Sequence, residues 1–492
     1  MELTKPKKVK AGYLLLVLIA LLIGCCGRNL GKRIESGTGY RQDEEGIVVV
    51  HLRGSDDEIK SQLKALLADE ITDFYKKAMN HRLMRTFGYG GCTNFAAFGK
   101  AATDGKLWHA RNFDLGGNGV LDCYRVVYII EPIDKIPFIS IAFADSCYLS
   151  LVHTGMNAKG IALGYMHSEA PDESIMDAPN LWALFRKVME NASTIEEALA
   201  ILKAGPRKGV ANLLLADGKV PEAVVVEMTS KSLAVRRANE GIVYATNHFV
   251  SKEMFYPEDK DPNSYGRFER LGKLAEQHYG KFDLKQTVAI LRDHYDVYAG
   301  RAALGGDIIA TPTNVLSVVF CPSDLTFWVA KAQAPASFNE FVGFNLLDEV
   351  KGTQAKTTVP SVPADPIVGS PAWKEMEKYL AGNLAYLFSD DSTAVEHLSK
   401  AVSLNPHSAL YGYRLGVALV NMGKKEEAIA AFNDALSADS HISLRAYIYY
   451  RLGRLYEEMG DKDKMQAAFE KVLELDIGDK SIEDYAQQAL GW

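Results

Sequence analysis

Short apolar runs alternate with turn residues through the first two-thirds of the chain, and a helical rhythm takes over beyond it. Ile47 to Val50, continuing to Leu52, is a β-branched run that predicts a strand. Gly54 and Ser55 close it. Asp56 and Asp57 then open a helix with Ile59, Leu63, Leu66, Ile71, Phe74 and Met79 at helical spacing. After a glycine-rich stretch the period becomes that of strands: Thr93 to Phe98, then Leu107 to Arg111 across an Asp104-Gly105 turn. Such a turn sets two strands antiparallel and brings Cys92 beside Arg111. Further strands are expected at Tyr124 to Ile130, Phe138 to Phe143, Leu149 to Thr154 and Gly160 to Met166. Helices are expected at Trp182 to Met189 and at Thr194 to Leu202, the second opening on a capping box, Thr194-Ile195-Glu196-Glu197. Strand patterning returns at Asn212 to Ala216, Ala223 to Met228, Leu233 to Arg237 and Ile242 to Ala245. Two helices follow, Ser264 to His278 and Leu284 to Asp293, and then strands at Val315 to Cys321 and Leu325 to Ala330. Runs of strands alternating with runs of helices predict an α+β fold, antiparallel sheets packed with helices in layers.

Residues 346–372 interrupt this pattern. Pro360, Pro363, Pro366 and Pro371 stand among Thr, Ser and Gly, the composition of a linker. From 373 to 492 the spacing is helical and it repeats. Leu415-Gly416, Gly423 and Phe432 recur at an offset of 37 as Leu452-Gly453, Gly460 and Phe469, and Leu398 and Ala401 precede Phe432 and Ala435 by 34. Small residues at these fixed offsets resemble the tetratricopeptide pattern, helix–turn–helix units that need about three copies to stack stably. Such a module is expected to bind a protein partner, and the linker to keep it apart from the chemistry of the core.

The N-terminus belongs to neither region. Lys5, Lys7, Lys8 and Lys10 precede a short apolar run, Ala11 to Gly24, below the ~20 residues of a spanning helix. Residues 1–24 read as an export signal. They end Leu22-Ile23-Gly24 before Cys25, which resembles the bacterial lipobox. Cys25 is therefore expected to carry lipid and to anchor the protein to a bacterial membrane on its extracytoplasmic side. An ordinary secretory signal would leave Cys25 and Cys26 incidental. Residues 25–46, rich in Gly and charge, are then a tether, and 47–345 form the core.

Composition narrows the function. With 48% hydrophobic and 24% charged residues, most of the 492-residue chain should fold around ordinary cores. A net charge of −7, with no basic stripe interleaved with aromatics, argues against nucleic acid as a partner. Cys123, Cys147 and Cys321 are widely spaced, without a C-x-x-C pair. Their apolar neighbours point to buried free thiols, with one oxidised pair as the alternative in an exported protein. H-E-x-x-H, G-x-S-x-G and P-loop motifs are absent, and nothing calls for a cofactor or a metal.

One stretch concentrates the chemistry. Phe87-Gly88-Tyr89-Gly90-Gly91-Cys92-Thr93-Asn94-Phe95 places a cysteine behind two glycines, where the backbone can take positive φ and pack closely. Arg111-Asn112-Phe113-Asp114 supplies an arginine that favours thiolate and a carboxylate able to hold an amine. These are the parts of an N-terminal nucleophile, in which cleavage at Gly91–Cys92 frees an α-amine that acts as base to its own thiol. Taken singly, Cys92 reads as a buried small hydrophobe and Arg111 with Asp114 as a surface pair.

Further pieces follow in order: Thr154-Gly155-Met156-Asn157-Ala158-Lys159-Gly160-Ile161-Ala162, Thr246-Asn247-His248-Phe249, and Ser264-Tyr265-Gly266-Arg267-Phe268-Glu269-Arg270. In this order, over residues 45–345, the chain resembles the N-terminal-nucleophile amidases of the penicillin (isopenicillin-N) acyltransferase and choloylglycine hydrolase group, with acid ceramidase more distant. The resemblance implies a four-layer αββα core whose leading segment, 47–91, stays as a small subunit beside the catalytic part, 92–345. It implies that Cys92 is the nucleophile, that Arg111 lies near the thiolate, that Asp114 binds the α-amine, that Asn247 donates to the oxyanion and that Arg267 orients the Asp and substrate side. Arg270 is the neighbouring candidate that the spacing from Ser264 disfavours. His167 stands where bile-salt-type relatives carry an Asn or another polar contact, so it is either a substrate-binding residue or a strand-end surface histidine. His153 and His248 are expected behind the site or in the core. The reaction implied is hydrolysis or transfer of a small-molecule linear N-acyl amide through a Cys92 thioester, water or an amine taking the acyl group. The alternative is an inactive core of the same shape in a lipoprotein that binds partners through its repeats.

Overall fold

The computed structural model describes residues 33–78, 91–116, 120–144, 152–170, 178–205, 207–256, 261–331, 333–352, 357–438 and 442–492. Two sheets pack face to face. The larger runs β1 (Ile34–Ser36), β2 (Gly39–Glu44), β3 (Ile47–Gly54), β6 (Arg125–Pro132), β7 (Phe138–Phe143), β8 (Thr154–Asn157), β9 (Ile161–His167), β10 (Ala211–Asp217), β11 (Glu222–Met228) and β12 (Leu233–Arg237). Its neighbours are antiparallel except β3 with β6, which is parallel. The smaller runs β13 (Ile242–Ala245), β4 (Cys92–Gly99), β5 (Gly105–Asp114), β16 (Asn314–Cys321), β17 (Thr326–Ala330) and β18 (Phe341–Asn345), antiparallel throughout. A short hairpin, β14 (Tyr295–Asp296) with β15 (Arg301–Ala302), stands apart from both.

The period of two along each strand builds separate cores on its two faces. Cys92, Ala96, Leu107, Val318 and Phe320 meet Val127, Ile129, Ala162 and Leu214 between the sheets. The outer face of the larger sheet carries α1 (Asp56–Leu66), α2 (Ala68–Ala78), α3 (Leu181–Asn191) and α4 (Ile195–Lys203), where Val126, Tyr128 and Leu213 pack with Ile59, Leu63 and Phe185. The outer face of the smaller sheet carries α5 (Pro262–Gln277) and α6 (Leu284–Leu291), where Phe95, Ala97 and Trp108 pack with Leu271, Leu274 and Leu291. This is the αββα arrangement.

Three boundaries differ from the sequence expectation. The core already includes Ile34–Ser36 and Gly39–Glu44: β1 and β2 take up much of the expected tether, with Tyr40 stacked on His51 and Arg41 paired with Glu70 at 2.7 Å. Strand β2 is polar, and its charges are paired within the sheet and against α2, so no apolar alternation marks it. The long helix expected from Asp56 breaks at Leu67, where the backbone leaves helical ψ and lets Leu66 and Leu67 both be buried. The segment expected as a linker contains α7 (Leu346–Lys351), and its backbone is tied to the core although its prolines are exposed. Phe341 and Val362 exchange backbone hydrogen bonds at 2.9 Å, Trp328 Nε1 donates to the Pro360 carbonyl at 2.8 Å, and Arg292 donates to that of Pro363 at 2.7 Å. Prolines suit such an edge strap because they offer acceptors without needing a donor.

Beyond it come α8 (Pro371–Leu387), α9 (Asp391–Leu404), α10 (Ala409–Asn421), α11 (Lys425–Ser437), α12 (Ile442–Met459), α13 (Lys462–Leu475) and α14 (Lys480–Leu490). The first six pack as successive pairs and α14 covers the last. A Cβ at Gly416 would stand 2.5 Å from the Phe432 ring, and one at Gly453 the same distance from Phe469. That contact explains why the Gly and Phe positions recur together. The export signal, Cys25, Cys147, the strand start expected at Leu149 and the glycine loop up to Gly90 lie outside the described residues. Among the described residues no helix is long and apolar enough to cross a membrane.

Candidate active site

Strands β4 and β5 place the first two candidates. Their register pairs Cys92 with Phe113 and Asn94 with Arg111, so Arg111 projects from the same face as Cys92. Arg111 Nη2 lies 3.5 Å from Cys92 Sγ. The rest of the guanidinium is fixed by the larger sheet: Nε and Nη2 donate to the Tyr165 carbonyl at 3.0 and 2.7 Å, and Nη1 donates to Thr154 Oγ1. The Phe113 ring lies 4.7 Å from its Cζ. Arg111 thus spans the space between the sheets with its charge held on the sulfur side.

Asp114 extends the ladder one step past Cys92. Its N–H donates to the Gly91 carbonyl at 2.8 Å and its carbonyl accepts the Gly91 N–H at 3.0 Å. The Gly91–Cys92 peptide bond is therefore held within a sheet. The Asp114 side chain faces the helix layer. Asn314 Nδ2 donates to its Oδ1 at 3.1 Å, and Thr311 also supports the carboxylate. Oδ2 is buried beside the junction, 3.4 Å from where a Cβ on Gly91 would stand.

Helix α5 brings the remaining arginine. Asp261 caps it by accepting the Asn263 and Ser264 N–H groups, and Pro262 occupies the first turn, where a missing N–H costs nothing. One turn further, Arg267 is fully buried. Its Nη1 donates to the Cys92 carbonyl and to Thr93 Oγ1 at 3.1 Å, Nη2 to Asn247 Oδ1 at 2.9 Å, and Nε to Asn263 Oδ1 at 2.9 Å. A Cβ at Gly91 would stand 2.8 Å from Arg267 Nη2, so only glycine fits beside this guanidinium without displacing it. Asn247 joins the parts: its Oδ1 accepts the Cys92 N–H at 2.8 Å, its Nδ2 donates to the His167 carbonyl at 2.9 Å, and its own N–H donates to Ser264 Oγ at 2.8 Å.

Burial dominates the electrostatics. It pushes the Cys92 thiol up, against the pull of Arg111 and Arg267 and with the help of Asp114. It raises Asp114 from 3.8 to about 6, with Arg267 and Asn314 acting the other way. His109, buried near Arg111, is lowered to about 3, and burial with the same arginine lowers His153. Both imidazoles are therefore neutral at ordinary pH, and neither adds charge to the junction.

Five candidates, Cys92, Arg111, Asp114, Asn247 and Arg267, converge on the one peptide bond. His167 is exposed at the end of β9; its carbonyl orients Asn247 while its ring reaches the Tyr165 hydroxyl at 3.4 Å. Arg270 is turned away and pairs with Asp293 at 2.7 Å. His248 Nδ1 meets Ser264 Oγ at 2.8 Å and its ring stacks on Tyr265, so it braces α5. His153 is buried among the Phe113 and Trp182 rings. Cys321 is a buried free thiol, and Cys123 Sγ accepts from Gln333 Nε2 at 3.7 Å. Among the described residues no group of His, Cys, Asp or Glu has the arrangement to hold a metal.

Sequence reasoning did not single out Thr93, Thr154, Tyr165, Asn263, Ser264 or Asn314. Thr93, Thr154 and Ser264 stood inside the quoted pieces. Asn263 lies four residues before Arg267, a helical spacing that pairs side chains. Tyr165 acts through its carbonyl and Asn314 from a distant strand, and neither leaves a local signal.

Residues 101–334 match the family described as acyl-coenzyme A:6-aminopenicillanic acid acyl-transferase. That span includes Arg111, Asp114, His167, Asn247 and Arg267, and starts after Cys92. Residues 413–441 and 446–476 match the tetratricopeptide repeat. Among solved structures, a Caenorhabditis elegans N-acylethanolamine-hydrolyzing acid amidase ortholog is similar at 18% identity and TM-score 0.36, over 47% of this chain and 93% of that one. Penicillin V acylase from Agrobacterium tumefaciens is similar at 15% identity and TM-score 0.34, over 52% of this chain and 86% of that one. An Arabidopsis tetratricopeptide domain is similar at 21% identity and TM-score 0.23, over 24% of this chain and 97% of that one. No curated protein matches the sequence significantly.

Proposed function

Because the chain joins an N-terminal-nucleophile acyltransferase-type core to tetratricopeptide repeats, we propose that it hydrolyses or transfers a linear N-acyl amide through a Cys92 thioester, after cleaving its own Gly91–Cys92 bond. The observation that carries this reading is the held junction. The Gly91 carbonyl accepts the Asp114 N–H, the Cys92 nitrogen is bound to Asn247, and Arg111 sits at the sulfur.

In the cleavage step Cys92 Sγ attacks the Gly91 carbonyl carbon. A C–S bond forms, the C–N bond breaks, and the thiol proton passes to the departing Cys92 nitrogen. The Asp114 N–H, already on the carbonyl oxygen, stabilises the oxyanion that develops there. Water then hydrolyses the thioester, leaving a Gly91 carboxylate and a Cys92 with free thiol and free α-amine. That amine, with a pKa of about 7.7–8.0 when unperturbed, takes the thiol proton as sulfur attacks the substrate amide, and later gives it to the leaving amine. Asp114 holds the ammonium and Arg111 the thiolate. Asn247 donates to the substrate oxyanion once its Nδ2 turns from the His167 carbonyl. Water or a second amine then takes the acyl group.

Export belongs to the same proposal. Lipid on Cys25 would hold the protein to a bacterial membrane on its extracytoplasmic face, and the repeats would engage a protein partner. Mass spectrometry of purified wild type should find two pieces, the second beginning at Cys92. Cys92→Ala should remain one piece and release no amine from a panel of N-acyl amides. A wild type that stays intact with full turnover would refute the N-terminal-nucleophile route.

A further inference from the structure

The repeats were expected to stand apart from the chemistry, yet the structure runs a continuous set of contacts from them to Arg267. Helix α10 supplies the first. Its Leu410 lies so close to Gly305 that a Cβ there would stand 2.8 Å from Leu410 Cδ2. Leu304 packs with Met376, Tyr379 and Tyr411 of the first repeats and with Trp373 at the start of α8. Gly305 and Leu304 follow the β14–β15 hairpin, and Asp296 of that hairpin is buried. Asp296 Oδ1 accepts the N–H groups of Tyr298 and Ala299 at 2.9 and 3.0 Å, and Oδ2 accepts that of Asp307 at 3.2 Å. Asp307, also buried, accepts from Asn263 Nδ2 at 3.1 Å, and Asn263 Oδ1 accepts from Arg267 Nε.

A second line of contact runs alongside. The hairpin tip lies on α5 at Gly266, the residue before Arg267. A Cβ at Gly266 would stand 2.9 Å from the Tyr298 ring and 3.3 Å from Val297 Cγ2. Helix α12 of the repeats also touches α5 directly. Between hairpin and repeats lies an open cavity of about 250 Å³, lined from one side by Asp296 and Arg301 and from the other by Glu375, Asn405 and Tyr411. The hairpin is two residues paired with two, too small to hold itself, so its position is set by what it packs against.

We infer that Asp307 is a positioning residue for Arg267 and that the tetratricopeptide module fixes its place through the segment 295–306. The module is then part of the scaffold of the Cys92 site, and a partner that shifts α8–α10 against the hairpin alters Arg267. The inference rests on the proposed function only for its meaning in catalysis, because its geometry is complete in the uncleaved chain.

The experiment uses the full chain and reads alkylation of Cys92 by iodoacetamide from the mass of its own peptide, across pH. Arg267 lowers the Cys92 thiol pKa, so losing its place should raise that pKa. Asp307→Ala should slow alkylation near neutral pH about tenfold, the change in thiolate that a rise of about one in thiol pKa produces. Asp307→Asn keeps an acceptor for Asn263 and should restore the wild-type rate. Leu410→Ala, which alters only the repeat side, should shift the pH profile in the same direction by a smaller amount. An unchanged profile in Leu410→Ala would overturn the role of the repeats, and one in a folded Asp307→Ala would overturn the inference altogether. If Asp307→Ala fails to fold, the profile of Leu410→Ala decides alone. Failure of wild type to cleave at Gly91–Cys92 would instead strike the proposed function and leave this readout intact.

Discussion

Replacing Asp114 by Asn tests the buried carboxylate of the junction. In the uncleaved chain burial raises it from 3.8 to about 6. At 1.36 kcal/mol per pKa unit that rise corresponds to about 3 kcal/mol. Below pH ~3 the carboxyl is neutral both folded and unfolded, and its charge has no effect on stability. As pH climbs through the interval up to about 6, the unfolded chain releases its proton first, so the folded chain loses ground. An asparagine carries no charge and is spared this loss. In an uncleaved Cys92→Ala background, Asp114→Asn should therefore gain about 3 kcal/mol on its parent between pH ~3 and pH ~7.5. Urea denaturation of the two chains, followed by tryptophan fluorescence, measures that gain. Only the change of the gap with pH matters, so contributions common to both chains cancel. In cleaved wild type the Cys92 ammonium arrives beside the carboxylate and should pull its pKa back down, shrinking the gap. A gap independent of pH in the uncleaved chain would refute the reasoning.

Gly91→Ala places a Cβ 2.8 Å from Arg267 Nη2. It should slow cleavage at least tenfold, as the loss of a hydrogen bond to a charged group of about 1.5–3 kcal/mol implies. A time course of intact mass checks this, and wild-type cleavage would contradict it. Arg111→Ala removes the donor on Cys92 Sγ and leaves the Tyr165 carbonyl without its two hydrogen bonds. Its thiol pKa, from the pH dependence of Cys92 alkylation, should rise, and a profile that overlays wild type would show that Arg111 does not support the thiolate.

Local pattern carried the strands, because each buries a face and shows it as apolar runs, and the Asp104-Gly105 turn fixed which two of them meet. That was enough to set Arg111 beside Cys92. The same reasoning failed wherever a contact is polar and distant. Strand β2 is stabilised by paired charges such as Arg41 with Glu70, so its sequence looks like a tether. The proline segment satisfies its carbonyls on Trp328 and Arg292, and composition alone cannot tell such a strap from a free linker. At the site, Asn247 and Arg267 were legible as residues through the family resemblance. Their contacts were not, since these depend on the Cys92 nitrogen, the His167 carbonyl and Asn263 meeting across four elements.

Cleavage in this fold would change charge without releasing the leading segment. Strand β3 lies inside the larger sheet, hydrogen-bonded to β2 on one side and to β6 on the other, and α1 packs Ile59 and Leu63 into the same core. Breaking one peptide bond at Gly91 removes none of those contacts. It does create a carboxylate at Gly91, where Arg267 already lies with the Asp114 carboxylate beside it, and an ammonium at Cys92, whose nitrogen is already held by Asn247 Oδ1. The new carboxylate therefore appears beside a buried guanidinium and the new ammonium one residue from a buried carboxylate, and in a low-dielectric site a partner of opposite sign is the condition for tolerating a charge. Before cleavage Arg267 donates only to carbonyl and hydroxyl oxygens at the junction, and burial pushes the Cys92 thiol up. The break thus gives Arg267 a carboxylate to pair with, while the larger sheet goes on holding the leading segment to the rest.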